Sequence, residues 1–482
     1  MVEPPLHDVE SLSVTTDELF KQPAWSAFFK KAAGTVKESA RPHLLSVTIQ
    51  VNPVEPLHVI QNEISSGFRF YWEKPDHNIG LCGGESLLTL TADGPSRFDQ
   101  LSRMIQTWQT RSFTYPDDLP DQPLFVGGFS FFDEFQDDRW SDFHNGFFTV
   151  PAWLYFRKGD KGFTTINLLV TPATQRKEIE HQVTLRLRQF FNHLDNDQQA
   201  SGSYQSSLTG QIAADQPESW KAKVGEITEK IKAGEFEKVV LARSVHIKTV
   251  GQPDPAVLLQ SLKEKYPNCY QFWIQPGKGK SFFGSTPERL AAFHNGHIVT
   301  ESLAGSISRD ADEKRDTELA NQLSSSEKDL SEHRFVVDAI TERLKEFTVQ
   351  LYAPDEPRII RYPNVQHLYT PITGQMKEGV NPLELISNLH PTPAVGGLPR
   401  QSALNLIRRL ESFERGWYAG PVGWLDRSGN GEFSVAIRSA LLEDNNAEIY
   451  AGCGVVADSD PQAEWEETEL KLIPLLSAFQ AV

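Results

Sequence analysis

Cysteine is scarce in this chain. Cys82, Cys269 and Cys453 are scattered and odd in number among 482 residues. No CxxC pair exists, so neither a disulfide framework nor a zinc site is indicated, and reducing cytosol is the simplest setting. Basic charge is short as well: 47 Lys and Arg stand against 64 Asp and Glu, a net charge of −17. A phosphate backbone wants the opposite sign, so nucleic acid is not an expected partner. A small anion is still possible if local cations or a metal receive it. No apolar run approaches the roughly 20 residues of a membrane span. The opening "MVEPPLHDVE" lacks the basic and apolar regions of a signal peptide. The expectation is a soluble, cytoplasmic protein with no membrane partner. Also missing are GxxxxGK[ST], HExxH and GxSxG. The glycines of "GKGKSFFG" fall in the wrong pattern for a dinucleotide loop. Hydrolase, kinase and dehydrogenase readings therefore have no support.

What is present is globular: 39% apolar, 23% charged, and long enough for one large or two ordinary domains. "HLLSVTIQV" and "FFTVPAWLYFRK" read as strands. "PLFVGGFSFFDE" reads as a strand interrupted at Gly127 and Gly128 by a bulge or a close backbone approach. "TQRKEIEHQVTLRLRQFFNHL" has helical periodicity. "DNDQQASGSYQSSLTGQIAADQPES" is the best linker candidate. It divides residues 1–200, of mixed α and β character, from residues 215–482. After it, Trp220, Val224, Ile227 and Ile231 form a helical stripe, with Gly234 placed as a C-terminal cap. Strands and helices then alternate without a regular βαβ rhythm. That favours α+β with antiparallel sheets over a doubly wound fold.

Several constellations carry chemistry. In "DPQAEWEETELK", Asp460 can cap a helix and Pro461 can open it. Glu464, Glu467 and Lys471 then share one face, and Trp465 and Leu472 another. A solvated Glu–Lys pair explains this face, and so does a metal ligand beside a substrate clamp. Asp329 and Glu332 repeat the acid-x-x-Glu spacing on a second helix, whose buried stripe is expected to be Phe335, Val336, Ala339 and Ile340. Two such helices meeting across a cleft would suit Mg²⁺, which takes one or two carboxylates and keeps water. Lys238 heads the apolar run "KVVLAR", where it can snorkel outward or serve, buried, as a general base. Glu288 follows Pro287 in a turn. Gly305 and Ser306 lie in a small-residue turn able to face an anion. "LHPTPAVGGLPR" reads as a rigid ligand-facing loop.

The segments "KVVLAR", "FGSTPERL", "ESLAGSISR", "KDLSEHRFVVDAI", "VQHLYTPITG", "LHPTPAVGGLPR", "ERGWYAGPVGW", "FSVAIRSAL" and "YAGCGVVADSDPQAEWEETELK" occur in that order. Together they closely resemble the chorismate-utilising enzymes, densely over residues 215–480 and more loosely before. The resemblance implies two large antiparallel sheets flanked by helices, in the manner of an anthranilate synthase large subunit, with the site between them. Amine-transferring members typically lack lysine at the position of Lys238, whereas water-using members carry it. Aminodeoxychorismate synthases place a lysine where this chain has Ala304. Salicylate synthases usually have a polar residue where Val395 stands. "HPTPAVGG" is similar to the isochorismate synthases, of the menaquinone-associated type by the long N-terminal half.

Carried over by resemblance, Lys238 is the general base and Glu288 the general acid. Glu332 and Glu467 hold Mg²⁺, supported by Asp329 and Glu464. Gly305, His367, Ala394, Val395, Arg438, Gly452 and Lys471 bind the substrate, chorismate. The implied product, isochorismate, feeds menaquinone or siderophore biosynthesis. Salicylate synthase and a non-catalytic chorismate binder are the alternatives. The expected assembly is a monomer or weak homodimer.

Overall fold

In the computed structural model, residues 23–61, 67–116, 122–195, 208–213, 216–362 and 365–480 are described. The opening "MVEPPLHDVE" lies outside them. The described residues form 21 strands in one connected hydrogen-bond network. It resolves into two sheets that share two long strands, Ile79–Ala92 and Gly146–Lys158.

The first sheet runs Ser112–Tyr115, His43–Val51, Lys161–Val170, Gly146–Lys158, Ile79–Ala92, Arg69–Lys74, Tyr270–Gln275, Lys280–Thr286, Ser439–Glu443, Asn446–Val455, Lys238–Thr249. The second leaves the shared pair through Phe125–Phe129 and continues Pro421–Leu425, Gly431–Val435, Arg289–His294, His297–Ser308, Val365–Met376. Every pairing is antiparallel except that of His43–Val51 with Ser112–Tyr115. Gly146–Lys158 changes partners, from Phe125–Phe129 to Lys161–Val170, around a register shift in Ile79–Ala92 between Ser86 and Leu88, the kind of irregularity that bends a strand from one sheet into another. Both sheets take strands from before residue 200 and after residue 215.

Burial follows position. Lys238–Thr249 is buried over its first eight residues, as an inner strand covered on both faces would be, whereas His297–Ser308 alternates. Five tryptophans (Trp72, Trp140, Trp220, Trp273 and Trp417) are almost fully enclosed. Burying one such ring is worth on the order of 4–6 kcal/mol of transfer free energy before entropy is charged. Trp220, Val224, Ile227 and Ile231 form the expected stripe of the helix Pro217–Lys232. Gly234, at φ +80°, ends it: its N–H reaches Ile231 O at 2.9 Å, and that of Glu235 reaches Lys230 O at 3.0 Å.

Four expectations need correction. The strand Phe125–Phe129 is not interrupted, because Gly127 and Gly128 pair on both sides. They permit close approach instead: a Cβ on Gly127 would lie 2.0 Å from Phe147 O. Of the linker candidate, Leu208–Ala213 is a strand antiparallel to Lys238–Thr249, while residues 196–207 and 214–215 lie outside the described residues. Gly305 and Ser306 lie within the strand His297–Ser308 rather than in a turn, where Gly305 at φ +75° makes a bulge between Ala304 and Ser306. The buried stripe of Glu327–Lys345 is His333, Val336, Ile340 and Leu344, while Phe335 and Ala339 are half-buried. His333 enters because its ring bonds both Ala304 O and Thr370 Oγ1. Among the described residues, no helix is long and apolar enough to cross a membrane.

Candidate active site

A cavity of about 280 Å³ lies between the two sheets. It gathers Lys238, Glu288, Gly305, Asp329, Glu332, His367, Ala394, Val395, Arg438, Gly452, Glu464, Glu467 and Lys471. These residues are spread over more than 230 positions of sequence.

The last helix, Pro461–Gln480, supplies one wall. Asp460 Oδ1 accepts from Gln462 N at 3.1 Å and Ala463 N at 2.9 Å, which fixes the first turn. Trp465 packs edge-on against Trp220, with the Arg243 guanidinium 3.9 Å from its ring centroid, and Leu472 is buried. This anchored side turns Glu464, Glu467 and Lys471 into the cavity. Lys471 Nζ lies 2.5 Å from Glu467 Oε1 and donates to Gly452 O at 2.9 Å. The ammonium of Lys471 holds the Glu467 carboxyl below its usual range, whereas burial pushes Glu464 up.

Lys238 enters from the strand Lys238–Thr249 and is 6% exposed, so it does not snorkel to solvent. Its Nζ donates to Glu332 Oε1 at 2.7 Å. Gly454 on the neighbouring strand makes room for it, since a Cβ there would lie 2.6 Å from Lys238 Cε. The sequence reading did not single out Gly454; the alternation of small residues in "AGCGV" was its signal.

Glu288 sits at the corner between Lys280–Thr286 and Arg289–His294. Burial raises its pKa to about 7, with Glu301 adding to the rise and Lys238 and Lys471 opposing it. Arg438, at φ +52°, occupies a backbone region costly for a side-chain-bearing residue. Its carbonyl accepts from Ser285 N at 3.1 Å. His367 faces Ser306 across the Gly305 bulge, with Nδ1 2.7 Å from Ser306 Oγ. Burial first, then Arg438 and Lys471, lower its pKa to about 4, so this imidazole is neutral at physiological pH.

The loop carrying Ala394 and Val395 is tied down by Arg415, a residue missed in the sequence. Its guanidinium grips Glu411 at 2.6 and 2.8 Å and donates to Val395 O at 3.0 Å and Val240 O at 2.9 Å. Arg415 and Glu411 are 1% and 2% exposed. Removing either partner would strand a buried charge, at a cost of about 3–5 kcal/mol. The i, i+4 spacing of Glu411 and Arg415 was the available signal.

Residues 27–480 match the family of chorismate-binding enzymes. The chain belongs to this family. It is 32% identical over 454 residues to isochorismate synthase MenF of Bacillus subtilis, covering 92% of this chain and 95% of that protein. It is 34% identical over 459 residues to the salicylate biosynthesis isochorismate synthase of Pseudomonas aeruginosa, covering 94% of each. In structure it resembles MenF, the menaquinone-specific isochorismate synthase of Escherichia coli. The TM-score is 0.76 at 26% identity, covering 93% of this chain and 100% of that one. The fold is shared with anthranilate synthase component I of Streptococcus pneumoniae, TM-score 0.68. The α+β architecture with large antiparallel sheets is thus that of the chorismate-binding enzymes.

The cavity's donors can be tested against a metal. Among the described residues, no three His, Cys, Asp or Glu side chains form a ready metal cluster. Glu332 and Glu467 are instead engaged by Lys238 and Lys471. Yet Glu464 Oε2 is buried without a hydrogen-bond partner, and Asp329, Glu332, Glu464 and Glu467 are hard oxygen donors facing one space. Such a set fits a divalent cation that needs only one or two carboxylates and fills its remaining positions with water and substrate oxygen.

Proposed function

We propose that this chorismate-binding enzyme is an isochorismate synthase, an isomerase that replaces the hydroxyl on ring carbon 4 of chorismate by a water-derived hydroxyl on ring carbon 2. The observation that carries the reading is Glu288, a carboxyl raised to about 7 in the same cavity as Lys238. The full-length likeness to two isochorismate synthases supports it.

In this reading Lys238 takes a proton from water as the oxygen attacks carbon 2. The double bonds shift around the ring, and the carbon 4 hydroxyl departs as water with the proton of Glu288. Base and acid act on opposite faces of the ring, and each must be poised near neutral pH to act. Arg438 and Lys471 bind the two substrate carboxylates, with backbone from Gly305, Ala394, Val395 and Gly452. His367, held neutral, lines the same pocket without adding charge. Glu332 and Glu467 would hold Mg²⁺, with Asp329 and Glu464 supporting them through water. When bound, the ion would neutralise the ring carboxylate and the facing glutamates. The three cysteines are buried, which suits a reducing cytoplasm. Likeness to a menaquinone-specific structure supports a menaquinone role for the product.

The test is chromatography of the products that purified protein forms from chorismate with Mg²⁺, alongside a pyruvate-coupled assay. Isochorismate with little pyruvate is expected. Stoichiometric salicylate and pyruvate would replace this reading with salicylate synthase, and no turnover would leave a chorismate binder.

A further inference from the structure

A second cavity, of about 290 Å³, shares a loop with the first. The segment that gives Ala394 and Val395 to the active site gives His390 and Pro391 to this hollow. Three arginines line it, Arg97, Arg400 and Arg408, against a single lining acid, Asp133, which lies 3.6 Å from Arg408.

Of the three, only Arg408 makes an ion pair among the described residues, while Asp133 and Asp93 act on Arg97 at longer range. Arg97 is 5% exposed, and its Nε is buried with no hydrogen-bond partner. Its other nitrogens make only long contacts, to Gly94 O at 3.4 Å and Ser130 O at 3.3 Å. Arg400 donates to Asn388 O at 3.1 Å, to Ser387 O at 3.3 Å and to His390 O. Behind it, Arg343 donates to Leu389 O at 3.1 Å and Pro391 O at 3.0 Å. These carbonyls end the helix Pro382–Leu389, so a structural task accounts for where Arg343 and Arg400 lie. It does not account for the open donor of Arg97. Carbonyl oxygens satisfy hydrogen bonds but bring no countercharge. Burial, with the charges of Arg343 and Arg97, pushes the pKa of Arg400 down to about 10. Three guanidinium groups held together in partly dry surroundings are stabilised by an anion.

The rest of the lining indicates which anion. Phe98 stacks on Phe129 and lies under the Arg97 guanidinium, 4.8 Å from its ring centroid; the Arg408 guanidinium lies 4.4 Å from the centroid of the Phe132 ring, and Leu404 adds an aliphatic side. His390 is buried and held neutral. Guanidinium forks recognise carboxylate and phosphate alike, but aromatic walls favour a ligand with a ring. We propose that this cavity is a second ligand site, which takes a small aromatic carboxylate with its acid group toward Arg97 and Arg400 and its ring against Phe98 and Phe132.

The test is calorimetric titration of the full chain with benzoate and, separately, inorganic phosphate. Asn405→Asp places a new negative charge at the exposed edge of the cavity without disturbing a buried contact. Lys471→Gln instead alters the active site. The expected result is a benzoate-binding event that Asn405→Asp weakens about fivefold or more, as one charge within a few ångströms should. Lys471→Gln should leave that event unchanged, and phosphate should bind there more weakly than benzoate. Asn405→Asp should turn over chorismate normally in the absence of benzoate. No benzoate event with this pattern, or tighter binding of phosphate, would overturn the proposal.

Discussion

Glu288 and Glu467 line the same cavity yet titrate in opposite directions. Glu288 stands at a corner between two strands, and among the described contacts no cation pairs with its carboxyl. Burial and Glu301 outweigh the more distant Lys238 and Lys471, and its pKa rises to about 7. Glu467 stands on a helix one turn before Lys471, whose ammonium at 2.5 Å keeps it ionised. Burial alone therefore does not set a carboxyl's behaviour; the element that carries it decides whether a cation can be fixed beside it. The strand corner yields a proton donor near neutral pH, and the helix face yields a permanent anion for a cation to use. Pairs of groups driven apart in this way mark acid and base roles.

Breaking the strand-corner side should have the largest effect. Glu288→Gln keeps the shape of the side chain but removes its proton, and Lys238→Ala removes its counterpart across the ring. Each is expected to lower kcat by about 10²–10⁴-fold, the usual worth of a positioned acid or base, while leaving chorismate binding measurable by calorimetry. Wild-type kcat/KM should fall as pH rises through about 7, because Glu288 loses the proton it must donate. That limb should be absent from the residual activity of Glu288→Gln. Near-normal turnover in either variant would remove that residue from the mechanism.

Breaking the helix side should cost less and read out differently. Glu467→Gln and Glu332→Gln each remove a hard anionic donor and should weaken Mg²⁺ binding by about 10–100-fold, measured by calorimetry without substrate. Glu288→Gln should leave Mg²⁺ affinity close to wild type. Equal loss in all three would erase the distinction between the two glutamates. Wild-type affinity in Glu332→Gln or Glu467→Gln would remove that residue from the ligand set.

Much of this was legible before the structure. The cap at Asp460, the shared face of Glu464, Glu467 and Lys471, and the stripe from Trp220 to Ile231 follow from local spacing alone. Fold class and family followed from the order of the motifs between Lys238 and Lys471. What local spacing cannot carry is pairing across the chain. Lys238 meets Glu332 over 94 residues, and only the tertiary arrangement reveals that pair or the room that Gly454 leaves for it. Gly305 looked like part of a turn because a small residue with positive φ suits turns and bulges equally. Its place in a strand is set by Val365–Met376 on the other side. The strand Leu208–Ala213 was hidden in polar sequence because its partner, Lys238–Thr249, lies downstream.

The smallest expected effect is at Val395, in the cavity that the two glutamates share. This side chain is buried on a loop whose carbonyl is fixed by Arg415, and it lines the cavity with no hydrogen-bonding group of its own. Loss of pyruvate from isochorismate requires a proton to reach the leaving enolpyruvyl group in a particular geometry. One misplaced contact in such a step can cost about 100-fold. An apolar residue at 395 cannot orient that group, which is consistent with isochorismate being released intact. Val395→Thr is close in volume but adds a hydroxyl, so it should raise the pyruvate share by about twofold and no more, because the surrounding residues are not arranged to hold the new group. The ratio of pyruvate to isochorismate, followed over time and at several pH values, checks this. A variant that converts most chorismate to salicylate would show that this one position decides the product, and an unchanged ratio would show that it does not contribute.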